Sequence, residues 1–257
     1  MTNPNHSQQD TLKKNTVVVI PCYNSGNRAH DAVLGALARV ERVIVVDDGS
    51  ADGCMETIVD MPAQTIRFPR NRGKGHALIA GIRAALELPD VMAIALMDAD
   101  GQHDPAELPG LFAQFQAAEA DLLIGARRFD EETTPWRSRF GNRVTIGVMW
   151  LLCGRRLPDT QCGFRLLSPQ FARHFVERIP GGRYETEMRM LLLALKGGFH
   201  IVSAPIATLY EPGNPTSHFR KVRDSMRVYW ALAQMAFVRS ATAQRQKEDR
   251  GNNDDER

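Results

Sequence analysis

Two short apolar segments of this 257-residue chain each end in acidic residues. One leads into Asp98 and Asp100, and the other, residues 43–46, leads into Asp47 and Asp48. Short apolar runs rich in β-branched residues are typical of buried strands. Two strands that both end in acidic residues predict that the acidic groups share one edge of a sheet.

Asp98 and Asp100 are spaced so that both side chains point to the same side of an extended chain. Two hard oxygen ligands in that arrangement suit Mg²⁺ or Mn²⁺ together with a nucleotide diphosphate. The Asp-x-Asp pattern is also common in turns, where Asp side chains bind nearby backbone groups. Taken alone, the pair is best explained as a turn, and the second acidic cluster is what favours a metal site.

Composition limits the class of protein. With 43% apolar and 24% charged residues, the chain fits one α/β domain or two small ones. The formal charge of +2 gives no strong overall attraction, so we expect no nucleic-acid partner. The four cysteines have no CxxC spacing, which indicates no zinc cluster and predicts a cytoplasmic protein. No apolar run approaches the roughly 20 residues that span a bilayer.

Strands and helices alternate along the middle of the chain, as a mostly parallel sheet flanked by helices requires. The apolar patterns predict strands at residues 16–20, 42–46, 65–68, 122–125 and 201–209, and helices at residues 28–40, 75–88, 105–118, 171–179 and 185–196. Pro205 predicts that the last strand is an edge strand or is bulged. The sequence therefore predicts a Rossmann-like α/β fold.

The turn after the first strand contains neither a GxGxxG motif nor a GxxxxGK[ST] loop. These are the glycine-rich motifs that bind phosphate through backbone N–H groups. A phosphate-containing ligand would have to be bound in another way, and a metal ion is the obvious substitute.

The termini differ from the middle of the chain. We expect a disordered leader over residues 1–14, one domain over residues 15–215, a basic amphipathic helix over residues 216–242 and a disordered polar tail over residues 243–257. Basic and aromatic residues on such a helix suit an anionic lipid surface. Packing on its own domain is the commoner use of an apolar helix face.

Six motifs occur in the order seen in family 2 glycosyltransferases. They are Pro21-Cys22-Tyr23-Asn24, Asp47-Asp48-Gly49-Ser50, Asn71-Arg72-Gly73-Lys74-Gly75, Asp98-Ala99-Asp100-Gly101-Gln102, Gly125-Ala126-Arg127 and Asp159-Thr160-Gln161-Cys162-Gly163-Phe164-Arg165. More narrowly, the chain resembles the catalytic domains of polyprenol-phosphate (dolichyl-phosphate) mannosyl- and glucosyltransferases. The resemblance implies a GT-A fold, a GDP- or UDP-hexose donor, Mg²⁺ or Mn²⁺, inversion at the anomeric carbon and a polyprenyl phosphate or other lipid acceptor.

The resemblance also implies roles for individual residues. Donor binding falls to Pro21, Tyr23, Asn24, Asp47, Asp48, Lys74 and Asp98, and metal binding falls to Asp98, Asp100 and Gln102. Arg127 would bind the acceptor phosphate, since guanidinium groups suit phosphate. Further candidates for this contact are Arg137, Arg139, Arg165, His218 and Arg220. Asp98, Asp100, Arg127 and Asp159 form the predicted catalytic set.

The acceptor decides whether a general base is needed. A phosphate monoester is largely dianionic near pH 7, because its second pKa is about 6, and needs no base. A hydroxyl acceptor needs one, and Asp159, Glu185 and Glu187 are the candidates.

Two alternatives to glycosyl transfer remain from the sequence. A nucleotidylyltransferase has a similar fold and similar acidic metal ligands, but it should carry a glycine-rich phosphate loop after the first strand. A non-catalytic nucleotide-sugar sensor would show metal-dependent binding without turnover.

Overall fold

The computed structural model describes residues 4–127, 146–147, 158–183 and 185–207. The strands are β1 (Thr16–Cys22), β2 (Arg42–Asp47), β3 (Gln64–Arg67), β4 (Ala93–Leu96), β5 (Leu122–Arg127), β6 (Arg165–Leu167) and β7 (Ile201–Ile206). The helices are α1 (Pro4–Asn15), α2 (Asn27–Leu37), α3 (Lys74–Leu86), α4 (Leu108–Ala117), α5 (Pro169–Arg178) and α6 (Glu185–Lys196), with a short 3-10 helix at Pro105–Glu107.

The strands form one sheet in the order β3-β2-β1-β4-β6-β5-β7. β3, β2, β1 and β4 are parallel, β6 is antiparallel to both of its neighbours, and β7 is parallel to β5. Six of these strands therefore point the same way, and their carboxyl ends meet at one edge. The predicted α/β fold with a mostly parallel sheet is confirmed, and β7 with Pro205 is an edge strand as predicted.

The apolar side chains on β1 and β4 explain their central places. All seven residues of β1 and all four of β4 are buried, as expected for strands covered by helices on both faces. α2 turns Ala29, Val33 and Ala36 towards the sheet. Ser168 caps the start of α5. Its hydroxyl accepts a hydrogen bond from the Phe171 N–H at 3.1 Å and so satisfies a donor in the first turn.

The amino-terminal segment differs from the prediction. The described part of the expected leader is helical, since α1 covers Pro4–Asn15. Leu12 is buried in the core, and the backbone oxygen of Lys13 accepts a hydrogen bond from the Glu41 N–H at 2.8 Å. A single buried leucine among polar residues gives no helical periodicity, which is why the pattern predicts disorder.

Two strand predictions also need correction. β1 continues through Pro21 to Cys22 instead of ending at Ile20. β4 ends opposite Val19, so beyond that point β1 pairs with β2 alone, and a proline lacking an N–H is tolerated there. β6 was not predicted, because its three residues follow a polar stretch and give no strand pattern.

Several predictions lie outside the described residues. The basic helix over residues 216–242, the tail over residues 243–257, and the candidates Arg137, Arg139, His218 and Arg220 all fall there. Within the part of the chain that is described, no helix has both the length and the apolar content needed to cross a bilayer.

We predict that Gly81→Ala destabilises the fold by about 1–3 kcal/mol through overpacking. A Cβ at Gly81 of α3 would overlap the Val19 side chain and lie 3.0 Å from Val46 Cγ2. Gly110→Ala in α4 is the matched control, since no heavy atom of the described residues, apart from the local helix backbone, lies within 4 Å of its Cβ position. We expect it to stabilise by about 0.5–1 kcal/mol, because alanine restricts the unfolded chain. Urea denaturation measures both, and equal effects would contradict the packing argument.

Candidate active site

The two acidic clusters lie at the same edge of the sheet and are connected by the loop before α3. Asp48 follows β2, and its carboxylate accepts hydrogen bonds from the backbone N–H groups of Arg72 at 2.7 Å and Gly73 at 2.8 Å. The next residue, Lys74, places its Nζ 2.7 Å from Asp98 Oδ1, just after β4. The predicted shared edge is therefore confirmed.

Lys74 binds a second carboxylate as well. Its Nζ lies 3.1 Å from Glu187 Oε2 in the first turn of α6. Burial works to lower the pKa of Lys74, but the negative charges of Asp98 and Glu187 outweigh it and raise that pKa above its usual value. Burial likewise works to raise the pKa of Asp98, and the Lys74 charge holds it below its usual value. The Lys74 ammonium and the Asp98 carboxylate are therefore charged near neutral pH.

The loop that carries Asp98 and Asp100 is held by its own hydrogen bonds. His103 is buried, and its Nδ1 accepts a hydrogen bond from the Asp98 N–H at 3.1 Å. Burial lowers the pKa of His103, so the imidazole is neutral with its proton on Nε2. Asp100 Oδ1 accepts a hydrogen bond from the Gln102 N–H at 3.0 Å, and Gly101 takes the left-handed φ of 80° that this turn needs.

These residues fit a hard divalent ion. Burial, and then the negative charge of Asp98, raise the pKa of Asp100, so this carboxylate lies where a cation would be stabilised. Within the described ranges, no three His, Cys, Asp or Glu side chains form a complete metal site. Mg²⁺ is usually bound by one or two carboxylates together with substrate phosphates, and Asp98 and Asp100 supply two such carboxylates.

Arg127, at the end of β5, is held by Asp159. Its Nε and Nη2 donate to the two oxygens of Asp159 at 2.7 Å and 3.2 Å, and its backbone N–H donates at 3.3 Å. Asp159 also accepts from the Gln161 N–H at 2.9 Å and is fully buried. The structure places Asp159 as a positioning partner of Arg127, and the predicted role of this carboxylate as a base finds no support in its geometry.

Arg165 lies inside the protein. It is fully buried, and its guanidinium donates to the backbone oxygens of Cys162 at 2.9 Å, Glu187 at 2.9 Å and Thr160 at 3.2 Å. These bonds join the loop before β6 to the first turn of α6. The predicted phosphate contact finds no support for this residue, because it is fully buried and three of its N–H groups are bound to carbonyl groups inside the protein.

The predicted donor-binding residues form the other side of the edge. Pro21 lies in β1, and Tyr23 and Asn24 follow it. The Asn24 N–H donates to Ser50 Oγ at 3.0 Å, and Asn24 Oδ1 accepts from the Ala51 N–H at 2.9 Å. These bonds join the loop after β1 to the loop after β2.

Asp47 supports the same loop from inside. Its Oδ1 accepts from the Ser50 N–H at 2.8 Å, and its Oδ2 lies 3.0 Å from Arg67 Nε as an ion pair whose geometry falls short of a hydrogen bond. Asp47 is fully buried and holds the loop from inside. Its contact with the donor, which the resemblance implies, stays a prediction.

Two functional contacts were missed in the sequence. The pairing of Glu187 with Lys74 joins residues far apart in the chain, and no local pattern indicates it. Gly163 packs against Asp98 so closely that a Cβ would overlap Asp98 Oδ2. The glycine within the Asp159–Arg165 motif was the available sign that backbone and side chain meet closely there.

Comparison with known proteins agrees with this geometry. The chain resembles an uncharacterised protein of Methanocaldococcus jannaschii, with 30% identity over 80% of this chain and 86% of the relative. A UDP-N-acetylglucosamine–dolichyl-phosphate N-acetylglucosaminyltransferase of Methanococcus voltae is 26% identical over 75% of this chain and 85% of that protein. A mouse dolichyl-phosphate beta-glucosyltransferase is 29% identical over 72% and 64%, respectively.

Among solved structures, glucosyl-3-phosphoglycerate synthase from Mycobacterium tuberculosis, in complex with Mn²⁺, UDP and phosphoglyceric acid, shares the fold with a TM-score of 0.69. The match covers 92% of this chain and 84% of that one at 15% identity, so it supports the GT-A-like fold alone. The model of glycosyl transferase family 2 matches residues 17–175, well over half of the chain. This match decides against the nucleotidylyltransferase alternative, and the chain is a glycosyltransferase that belongs to family 2.

Proposed function

We propose that the protein transfers a hexose from a UDP- or GDP-sugar to a polyprenyl phosphate, with a divalent ion and with inversion at the anomeric carbon. The observation that carries this proposal is the placement of charge at one sheet edge. Asp98 and Asp100 supply negative charge for a cation, while Arg127 on β5 supplies positive charge for an anionic acceptor. The charges of Asp98, Asp100, Lys74 and Arg127 all act on the buried His103, which indicates that they share one neighbourhood.

On the donor side, Asp98, Asp100 and Gln102 would hold Mg²⁺ or Mn²⁺. The ion would neutralise the charge that develops on the leaving diphosphate. The loops carrying Asn24 and Ser50 would bind the nucleoside, since their mutual hydrogen bonds fix the edge beside Asp48. A UDP-sugar is supported by the name of the Methanococcus voltae relative and by the UDP and Mn²⁺ in the mycobacterial structure.

On the acceptor side, the ion pairs favour a phosphate over a hydroxyl. Of the three carboxylates considered as bases, Asp159 is bound to Arg127 and Glu187 is bound to Lys74. Carboxylate oxygens that are held by a cation are poorly placed to take the proton of an attacking hydroxyl, because a general base must lie within hydrogen-bonding reach of that proton. A phosphate dianion needs no base, and two relatives are named for dolichyl phosphate.

In the proposed reaction, an oxygen of the acceptor phosphate attacks the anomeric carbon as the bond from that carbon to the donor diphosphate breaks. The nucleoside diphosphate leaves, and a single displacement inverts the anomeric centre. Arg127, fixed in its plane by Asp159, would orient the acceptor phosphate through charge-assisted hydrogen bonds. The basic amphipathic helix proposed for residues 216–242 would bring this site to the membrane surface where a lipid acceptor resides.

The direct test is to incubate the purified protein with UDP- and GDP-sugars, Mn²⁺ or Mg²⁺, and either polyprenyl phosphate or polyprenol. We expect nucleotide release and glycolipid formation with polyprenyl phosphate and neither of them with polyprenol. If the wild-type protein turns over polyprenol and Glu185→Gln does not, the proposal that the acceptor is a phosphate is overturned. Glu185 is the remaining candidate base, and its Oε2 is buried with no hydrogen-bond partner in the described residues.

We predict that Asp100→Asn lowers kcat by at least about a hundredfold, since charge stabilisation by a metal ion is worth several kcal/mol. Asp60→Asn is the control, because Asp60 is an exposed carboxylate in the turn region before β3. It should leave kcat unchanged. Steady-state kinetics with saturating donor and acceptor provide the measurement, and an Asp100→Asn enzyme of normal kcat would remove Asp100 from the metal site.

We predict that Asp159→Asn raises the KM for the acceptor by about tenfold or more while the donor KM stays near wild type. The variant loses the charge-assisted bonds that orient Arg127, and such bonds contribute about 1.5–3 kcal/mol. Asp121→Asn is a matched control, since Asp121 precedes the other end of β5 and anchors Ser168 and His200. A parallel rise of the acceptor KM in both variants would indicate general loosening of the fold.

A further inference from the structure

We infer that Lys74 makes metal binding depend on the nucleoside diphosphate, by repelling a divalent ion that arrives alone and attracting one that arrives with the diphosphate. This inference rests on the proposed function and adds to it a binding order set by one side chain. Lys74 would be a positioning residue, since in the structure its ammonium contacts Asp98 and Glu187, and Asp98 is one of the candidate metal ligands.

The position of Lys74 is fixed by close contacts on both sides of it in the chain. A Cβ at Gly73 would lie 2.7 Å from the Gly182 backbone oxygen, and a Cβ at Gly75 would overlap the Thr186 side chain. These glycines bring the start of α3 against the start of α6. Lys74 thus emerges between Asp98 and Glu187, and only 18% of its side chain is exposed. The ammonium has little solvent to move into.

The ammonium and a divalent ion would compete for Asp98. Lys74 Nζ already lies 2.7 Å from Asp98 Oδ1. An ion bound to the same carboxylate at roughly 2.1 Å would lie within a few ångströms of the ammonium. Two positive charges at that separation in a poorly solvated site repel strongly. The free site therefore binds the ion weakly, although it carries the carboxylates that the ion needs.

A diphosphate reverses the sign of this effect. Its oxygens supply the further ligands that Asp98 and Asp100 do not provide, and its negative charge is attracted to the ammonium. Glu187 keeps Lys74 paired when Asp98 turns to the metal, so the buried ammonium is never left without a carboxylate. The backbone of Glu187 is itself held by Arg165 Nη1 at 2.9 Å. By linkage, metal and nucleotide strengthen each other's binding equally.

The test measures Mn²⁺ binding to the protein from the EPR signal of free Mn²⁺, with and without UDP or GDP. Mixtures without protein serve as the reference, because Mn²⁺ also forms complexes with the nucleotides in solution. Wild type should bind Mn²⁺ at least about tenfold more tightly with nucleotide than alone. Lys74→Met should bind Mn²⁺ alone at least about tenfold more tightly than wild type does, and should lose most of the nucleotide effect. Lys14→Met should match wild type. Lys14 is an exposed lysine in the last turn of α1, at the edge of the sheet opposite to the candidate site.

Two further variants guard against a folding defect in Lys74→Met. Lys74→Arg keeps the positive charge and should keep the nucleotide effect. Glu187→Gln removes the second partner of Lys74 and leaves the ammonium on Asp98, so Mn²⁺ alone should bind more weakly than to wild type. Unchanged Mn²⁺ affinity in both Lys74→Met and Glu187→Gln overturns the inference.

The outcomes separate the inference from the proposed function. Wild type that binds Mn²⁺ tightly without nucleotide overturns the inference and leaves the proposed function standing. Wild type that binds no Mn²⁺ with either nucleotide overturns both. A nucleotide dependence of Mn²⁺ binding that is present in wild type, and that Lys74→Met removes by strengthening the binding of Mn²⁺ alone, supports the inference independently of any turnover.

Discussion

The hydrogen bonds that Asp48 accepts from the loop before α3 determine how the rest of the site is assembled. Both oxygens of this carboxylate accept backbone N–H groups, from Arg72 and Gly73, and so set where α3 begins. Burial raises the pKa of Asp48, and the two N–H bonds oppose that rise. Because Lys74 directly follows Gly73, the direction of its side chain depends on these two hydrogen bonds. The contacts of Lys74 with Asp98 after β4 and with Glu187 in α6 then follow.

The reversed strand β6 gives the site its second half. It lies between β4 and β5 and runs opposite to both, so the segment that leads into it starts at the functional edge. That segment carries Asp159, which holds Arg127, and Gly163, which packs against Asp98. In a sheet of parallel strands alone, a helix would make this connection. The reversed strand instead places a short polar segment between Asp98 and Arg127.

Much of this arrangement follows from the sequence, and its failures have physical causes. The shared acidic edge was predictable because parallel strands present their carboxyl ends together, and Asp47, Asp48, Asp98 and Asp100 each follow or end an apolar run. The burial of Arg165 could not be predicted, since a cationic side chain beside a polar motif suggests an anionic ligand. Nothing local indicates that three of its N–H groups are bound to carbonyl groups inside the protein. The role of Glu187 depends on tertiary contact alone.

The glycines at the start of α3 have a consequence for how the enzyme can be altered. Since Gly73 and Gly75 leave no room for a side chain beside Gly182 and Thr186, a substitution at either glycine would push the start of α3 away from the start of α6. Directed evolution towards other sugars would meet a barrier at these two positions, because such a shift would also displace Lys74. Changes in substrate preference would arise more readily in the loop that carries Tyr23 and Asn24, where both residues are only partly buried.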